Sequence, residues 1–462
     1  MRENAKIELF ENAPIPAALA KMALPTIVSQ LITLIYNIAD TWFIGHTNNP
    51  YMVAASSLVL TVFLASTALS NLFGVGGGSL VVRLLGQRRE DEARRAASLS
   101  LTMAACASLL YAALSLLFMN PLLRLLGASD NTIGFARQYL TCVVVIGALP
   151  TVLSIAVASL LRNAGYAREA AFGLGMGGVL NIALDPLFMF VILPDGCQVL
   201  GAGLATMLSN LASFLYFLAV LHRVEGESVL SIPRRFERIG ADSMRSLFSV
   251  GVPAALSLLL FDLTNIVINR LSASHGDIEL AAIGIVLKVE RLPLNIGVGI
   301  CLGMMPLVGY NYAARNFKRM NAFFSAARTA GLSIAVVCVA LYRLCAPQLI
   351  RAFIEDADTV RFGTQFLQAR CFATPFMFLS FHIVHFMQAV DRGRVSFLLA
   401  VIRQLCLNIP ILFLFNAVFG MAGIVWTQMT ADIVNSVVSY FIYFRVLKEI
   451  TGGRAGVPFG GN

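Results

Sequence analysis

Charge is scarce in this chain. Only 13% of its 462 residues are Asp, Glu, Lys or Arg, against roughly 25% in a soluble domain. Hydrophobic residues make up 58% and the mean hydropathy is +0.78. This excludes an ordinary soluble domain and leaves a polytopic membrane protein. No CxxC pair occurs among the eight cysteines (Cys106, Cys142, Cys197, Cys301, Cys338, Cys345, Cys371 and Cys406). Most lie in apolar runs and read as small core residues, so neither a disulfide framework nor a metal site is expected of them. No Gly-Lys-Ser/Thr follows the glycine runs GVGGGS (74–79) and GLGMGG (173–178). In apolar spans such small residues permit close helix packing rather than phosphate binding. No DDxxD-like run exists to hold magnesium and a diphosphate, so a membrane transferase is disfavoured, and neither an enzyme activity nor a cofactor is expected. The opening MRENAKIELFENAPIPAALAK has no cleavable apolar core, so no short signal peptide is expected. It reads as a stretch lying along the membrane surface before the first helix. The net charge of +9 does not point to nucleic acid, because the basic residues are scattered among short loops.

What is present is a succession of apolar stretches at 19–43, 53–80, 96–118, 133–160, 170–193 and 199–221, then 245–270, 279–310, 321–345, 361–387, 395–418 and 422–444. Each is long enough, or nearly so, to cross a bilayer as a helix. The expected fold is an all-α integral membrane protein with twelve transmembrane helices in two six-helix lobes. The lobes are expected at 1–221 and 245–444, with a linker at 222–244 and a tail at 445–462. Arginines and lysines concentrate in the even-numbered loops: Arg83, Arg88, Arg89, Arg94 and Arg95; Arg162 and Arg168; Arg223, Arg234, Arg235, Arg238 and Arg245; Arg315, Lys318 and Arg319; Arg392 and Arg394. The odd-numbered loops TNNPYM and LPDGCQ have none. Both termini are therefore expected on the cytoplasmic side of the plasma (inner) membrane.

The halves repeat. Leu24-Pro25 matches Val252-Pro253 and Tyr36-Asn37 matches Thr264-Asn265, both 228 apart; Gly74, Gly76 and Gly86 match Gly297, Gly299 and Gly309 at 223; Asn181 matches Asn408 at 227. Six spans return the chain to the side where it began. The repeat is therefore parallel, with a pseudo-twofold axis along the membrane normal.

The stretch LPTIVSQLITLIYNIADTWF (24–43) carries a polar stripe. Stepping back from Asp40 by three, four, seven and eleven gives Asn37, Tyr36, Thr33 and Ser29, all on one helical face. An acid at membrane depth is usually tolerated where it faces a cavity or a partner; the alternative is that Asp40 only caps the helix at the interface beside Trp42. In the fifth span, Asn181 and Asp185 share a face at i and i+4, and Pro186 frees a backbone carbonyl beside them. Here the alternative is a helix end near the outer surface. At the repeat separation Asp40 corresponds to Ile268 and Asp185 to Leu412, so this polar machinery belongs to the N-terminal lobe. The C-terminal lobe has Asp262 with Asn265 and Asn269 on one face, and Lys288, Glu290 and Arg291 in the eighth span. These charges are expected to pair with one another or with Asp262, in a structural or a substrate-binding role. His382 and His385 could line a cleft and titrate near neutrality or could be core residues. Arg403 is a further candidate cleft residue.

With these residues in view the chain resembles the multidrug and toxic compound extrusion (MATE) family over nearly its whole length. The resemblance rests on LPTIVSQLITLIYNIADTWFIG, GVGGGSLVVRLLGQRREDEARRA, LRNAG, NIALDP and VGYNYAARNFKRM. It implies twelve helices in two lobes that open alternately, exporting cationic or amphipathic small molecules in exchange for protons or sodium ions. It also implies an N-lobe cation site at Asp40, Asn181 and Asp185, with Thr206 as the associated sixth-span hydroxyl; these four residues would hold a sodium ion if that is the coupling ion. Another branch of the family carries a seventh-span acid, which Asp262 resembles, and a tenth-span acid. Residues 372–387 hold no acid, which favours the N-lobe mechanism. The 32 Phe and 16 Met suit an adaptable apolar pocket. The lipid bilayer and small molecules are the expected partners, and a single chain the expected unit. The rival is a flippase for a lipid-linked sugar or polysaccharide precursor, which would need several arginines in its cavity; in sequence only Arg291 and Arg403 are obvious.

Overall fold

The computed structural model describes residues 8–47, 49–233 and 240–452. Arg234, Arg235 and Arg238 of the expected linker and residues 453–462 of the expected tail lie outside them. Twelve long helices follow in order: α1 Ile15–Gly45, α2 Pro50–Gly86, α3 Glu90–Leu117, α4 Ile133–Ile146 with Ala148–Asn163, bent by 48°, α5 Ala167–Ile192 and α6 Gln198–Val224. The second set is α7 Ala241–Ser272, α8 Asp277–Ala313, α9 Phe317–Arg351, α10 Ala357–Ala389, α11 Gly393–Phe419 and α12 Met421–Ile450. Ten are long and apolar enough to cross a membrane, eleven with the bent α4 taken as one span. The twelfth, α12, is more polar because it carries Asp432, Asn435, Ser436 and Ser439, and all four are buried. Polar groups hidden in protein escape the cost of facing lipid.

Helices α1–α6 pack among themselves, as do α7–α12, and the lobes meet where α2 lies on α7 and α1 on α8. The duplication is visible in the turns. Arg88 and Arg315 take the left-handed backbone at φ 61° and 58°, one after α2 and the other after α8. Gly165 (φ 86°) and Asp391 (φ 62°) do so after α4 and α10. Non-glycine residues are uncommon there, so their recurrence at matching places reflects one turn used twice.

Between the lobes the approach is close. A Cβ on Gly76 of α2 would stand 2.5 Å from the Leu247 carbonyl oxygen and 2.9 Å from the Gly251 Cα of α7; one on Gly303 of α8 would stand 2.6 Å from the Ala23 Cα of α1. Only glycine lets the backbones touch at these points. This seam lies in the half of the molecule nearer the arginine-rich loops. There Arg83 bonds to Asp391 and Ser246, and Ser79 donates to the Gln388 carbonyl at 2.7 Å. The start of the described chain adds another tie. Glu11 accepts from the Tyr310 hydroxyl and from Arg88, while Asn311 and Arg319 donate to the carbonyl of buried Phe10.

Candidate functional site

In the N-terminal lobe, α1, α4, α5 and α6 bring Asp40, Tyr139, Asn181, Asp185 and Thr206 together. Asn181 and Asp185 share a face of α5, as their spacing predicts, and the Asn181 amide donates to Asp185 Oδ1 at 3.3 Å and to Thr206 Oγ1 at 3.4 Å. Asp185 is fully buried and Asn181 nearly so. Asp40 on α1 and Tyr139 on α4 lie in the neighbourhood of Asp185, with Thr206 beside Tyr139. Asp40 Oδ1, Asn181 Oδ1 and Asp185 Oδ2 are buried without a hydrogen-bond partner. Three orphaned acceptors, two of them on carboxylates, suit a positive occupant, a proton or a small hard cation. The donor set is all oxygen, as sodium requires, with Thr206 at its edge.

Local sequence builds this corner. Gly178, three residues before Asn181, leaves room for α1: a Cβ there would stand 2.8 Å from Ile32 Cγ2 and 3.0 Å from Tyr36 Cδ1. Pro186 has no N–H to return to the chain, and the helix goes on as a wide π turn over Leu187–Ile192. Another π turn, Thr141–Ile146, follows Tyr139. Such turns recur at functional sites.

Asp40 is not an exposed cap, since its Oδ1 is buried. The stripe behind it largely satisfies itself: Ser29 donates to the Thr26 carbonyl, Thr33 to that of Ser29 and Asn37 to that of Thr33. Asn37 is exposed and stays outside the cluster, whereas Tyr36 neighbours Asp40. At the equivalent places of the other lobe, Ile268 and Leu412 belong to an apolar cluster. The same scaffold holds hydrocarbon there.

In the C-terminal lobe one of the two expected pairings is absent and the other, Asp262 beside Arg291, is found. Lys288, Glu290 and Arg291 do not pair with one another. Glu290 takes a two-pronged bond from Arg370 of α10, 2.9 Å at each oxygen, because Arg370 sits opposite it in the lobe interior. Lys288 is exposed, with no ion pair among the described residues. Asp262 is the acid beside Arg291. Arg403 is buried against Asp432 at 2.6 Å, beneath the Phe381 ring, and does not line the cleft. His382 is fully buried between Phe324 and Phe378, and His385 meets the Phe381 carbonyl through its Nδ1 at 2.7 Å. His382 therefore takes the core alternative and does not line a cleft, while His385 is only half-buried. A small cleft, open to solvent, does lie in this lobe, lined by Asn265, Glu290, Arg291, Arg370, Gln404 and Gln428 among apolar neighbours.

Sequence reasoning missed Tyr139, Arg370, Gln404 and Asp432. Arg370 and Asp432 were findable, as charges within apolar stretches. Tyr139 and Gln404 carry no such signal.

The MatE family model matches residues 25–187 and 253–414, more than half the chain, in two segments that begin 228 residues apart as the repeat does. The chain belongs to the MatE family, and it is a multi-pass membrane protein with twelve helices in two lobes. It is similar to the multidrug export protein MepA of Staphylococcus aureus (strain MSSA476), 27% identical over 97% of this chain and 98% of that protein. MepA of Staphylococcus haemolyticus (strain JCSC1435) is 28% identical over 97% of each. Among solved structures, an outward-facing conformation of a multidrug resistance MATE family transporter of the MOP superfamily superposes with a TM-score of 0.90 at 22% identity, over 96% of this chain and 98% of that one. At that identity the likeness is one of fold.

Proposed function

We propose that the protein is a secondary active efflux transporter that exports cationic amphipathic molecules by antiport with protons or sodium ions. The observation that carries this reading is the set of orphaned oxygens on Asp40, Asn181 and Asp185, acceptors that a proton or a small cation would satisfy. Membership in the family and the similarity to multidrug export proteins support the same reading.

The arginine-rich end is taken as cytoplasmic by the positive-inside rule. The seam of α1 and α2 against α7 and α8 then closes the cytoplasmic side, and the cluster near the outer end of α1 and α5 loads its ion from outside. A proton on the Asp40–Asp185 pair, or sodium shared with Asn181 and Thr206, neutralises two facing acids and lets α1 repack on α5. Release of the ion to the inside restores negative charge, which attracts a cationic substrate. The ion drives the cycle only through unequal affinity for the two states. One chain, with both lobes, is the working unit.

The test is uptake of ethidium into inside-out vesicles, energised separately by a proton gradient and a sodium gradient, for the parent and Asp40→Asn. Uptake that follows one gradient and is lost in the variant supports coupled antiport and names the ion. No uptake under either gradient, in vesicles shown to hold folded protein, sinks the proposal and favours the flippase.

A further inference from the structure

The C-lobe cleft differs chemically from the N-lobe cluster. Two of the acids in and beside it are spent. Both oxygens of Glu290 are taken by Arg370, and those of Asp432 by Arg403 and Gln428. Its donors are not. Arg370 is 2% exposed and lines the cleft, yet its Nη1 is buried without a partner. A guanidinium nitrogen left dry and unpaired is costly unless an acceptor arrives. Gln404, 3% exposed, uses its Oε1 twice, accepting from Thr264 at 3.1 Å and Asn408 at 3.0 Å. Its Nε2 donates to no group among the described residues. Arg291 lines the cleft from α8, exposed and without an ion pair within 4.0 Å among the described residues, though Asp262 stands near it. Phe261, Leu287, Leu294 and Met377 supply apolar walls.

We infer that this cleft is an oxyanion site, in which Arg291 and Arg370 Nη1 hold the carboxylate of an amphipathic molecule whose apolar body lies against Phe261 and Met377. The charge balance selects a monoanion. Arg370 is neutralised by Glu290, and Asp262 stands near Arg291 without an ion pair within 4.0 Å, so at most one positive charge, that of Arg291, is in surplus. A carboxylate matches that surplus and two donors from different helices; a dianionic phosphate would exceed it. With acids in one lobe and this site in the other, the molecules best suited to the protein are zwitterions. The inference rests on the efflux reading only in taking the ligand to be an amphipath. Its test measures binding, so it fails or stands separately from transport.

The experiment compares two dyes with one ring system: tetramethylrhodamine, which has a free carboxylate, and its methyl ester, a plain cation. Their binding to the full-length protein in neutral detergent micelles at pH 7.5 is followed by fluorescence anisotropy, with empty micelles as the blank. The parent is expected to prefer the carboxylate form by about tenfold, the scale of charge-assisted hydrogen bonding. Arg291→Gln, an exposed position, should reduce that preference to about twofold or less. Arg370→Lys keeps a partner for Glu290 but removes Nη1, and should reduce it as well. Equal binding of the two dyes by the parent, or a preference unmoved by both variants, overturns the inference. Tighter, Arg291-dependent binding of a short-chain phosphatidic acid than of the carboxylate dye also overturns it, in favour of a lipid headgroup site.

Discussion

Arg83 and Asp391 come from different lobes and meet 2.5 Å apart at the arginine-rich end. Ser246 closes the triangle, accepting from Arg83 at 2.8 Å and donating to Asp391 at 3.0 Å. Arg83 is nearly buried but Asp391 is about a third exposed, so water screens the pair. Its worth to the closed seam is about 1 kcal/mol, roughly fivefold in an equilibrium. Asp391→Asn should raise the population in which the lobes part at this end by about that factor. Spin labels on α2 and α7, read as a distance distribution, check it. An unchanged distribution would show that the triangle does not hold the seam.

The N-lobe cluster predicts a graded series. Asp40→Asn and Asp185→Asn each remove a carboxylate from the orphaned set and should abolish coupled uptake. Thr206→Ala removes only a long contact of 3.4 Å and should cost about threefold, within the range of one weak hydrogen bond. If sodium is the ion, adding it should raise the melting temperature of the purified parent and leave that of Asp185→Asn unmoved. Equal losses across all three variants would point to misfolding and away from a shared ion.

Arg403 and Asp432 are 5% and 0% exposed at the side chain. Removing one partner strands the other, at about 3–5 kcal/mol. Arg403→Met alone should lower the melting temperature sharply. Arg403→Met with Asp432→Leu should recover most of it, since apolar replacement of a buried pair is often neutral. A double variant no better than the single one would place the role of the pair beyond packing.

The glycine seam gives the fourth test. Gly303→Val places side-chain atoms where the Ala23 backbone already stands. The lobes should no longer close at the arginine-rich end, and a cysteine at Ser249 should become reactive to a membrane-impermeant maleimide from that side. Protection equal to the parent would refute backbone contact at this point.

Much of this architecture was legible. Span number, the break after the sixth span and the duplication follow from runs of apolar residues and matched motifs, since a bilayer fixes helix length so tightly. The i, i+4 placement of Asn181 and Asp185 was also readable, because one helix sets it. Contacts across helices were not. Nothing in the local pattern says that Glu290 should find Arg370, eighty residues away, in preference to Arg291 beside it. Nor does it say that His382 packs among phenylalanines. Neighbours along one helix usually point to different faces, and tertiary packing decides which faces meet.

On the antiport reading, the seam of α1 and α2 against α7 and α8 also bears on how well the protein would hold a gradient. Where backbone touches backbone there is no gap for a water file, and a proton has no wire to follow. If the glycine contacts and the Arg83–Asp391 triangle open as one face, as close packing favours, they part together. Leak is then set by the rarity of that whole-face opening and not by the fluctuation of any one side chain.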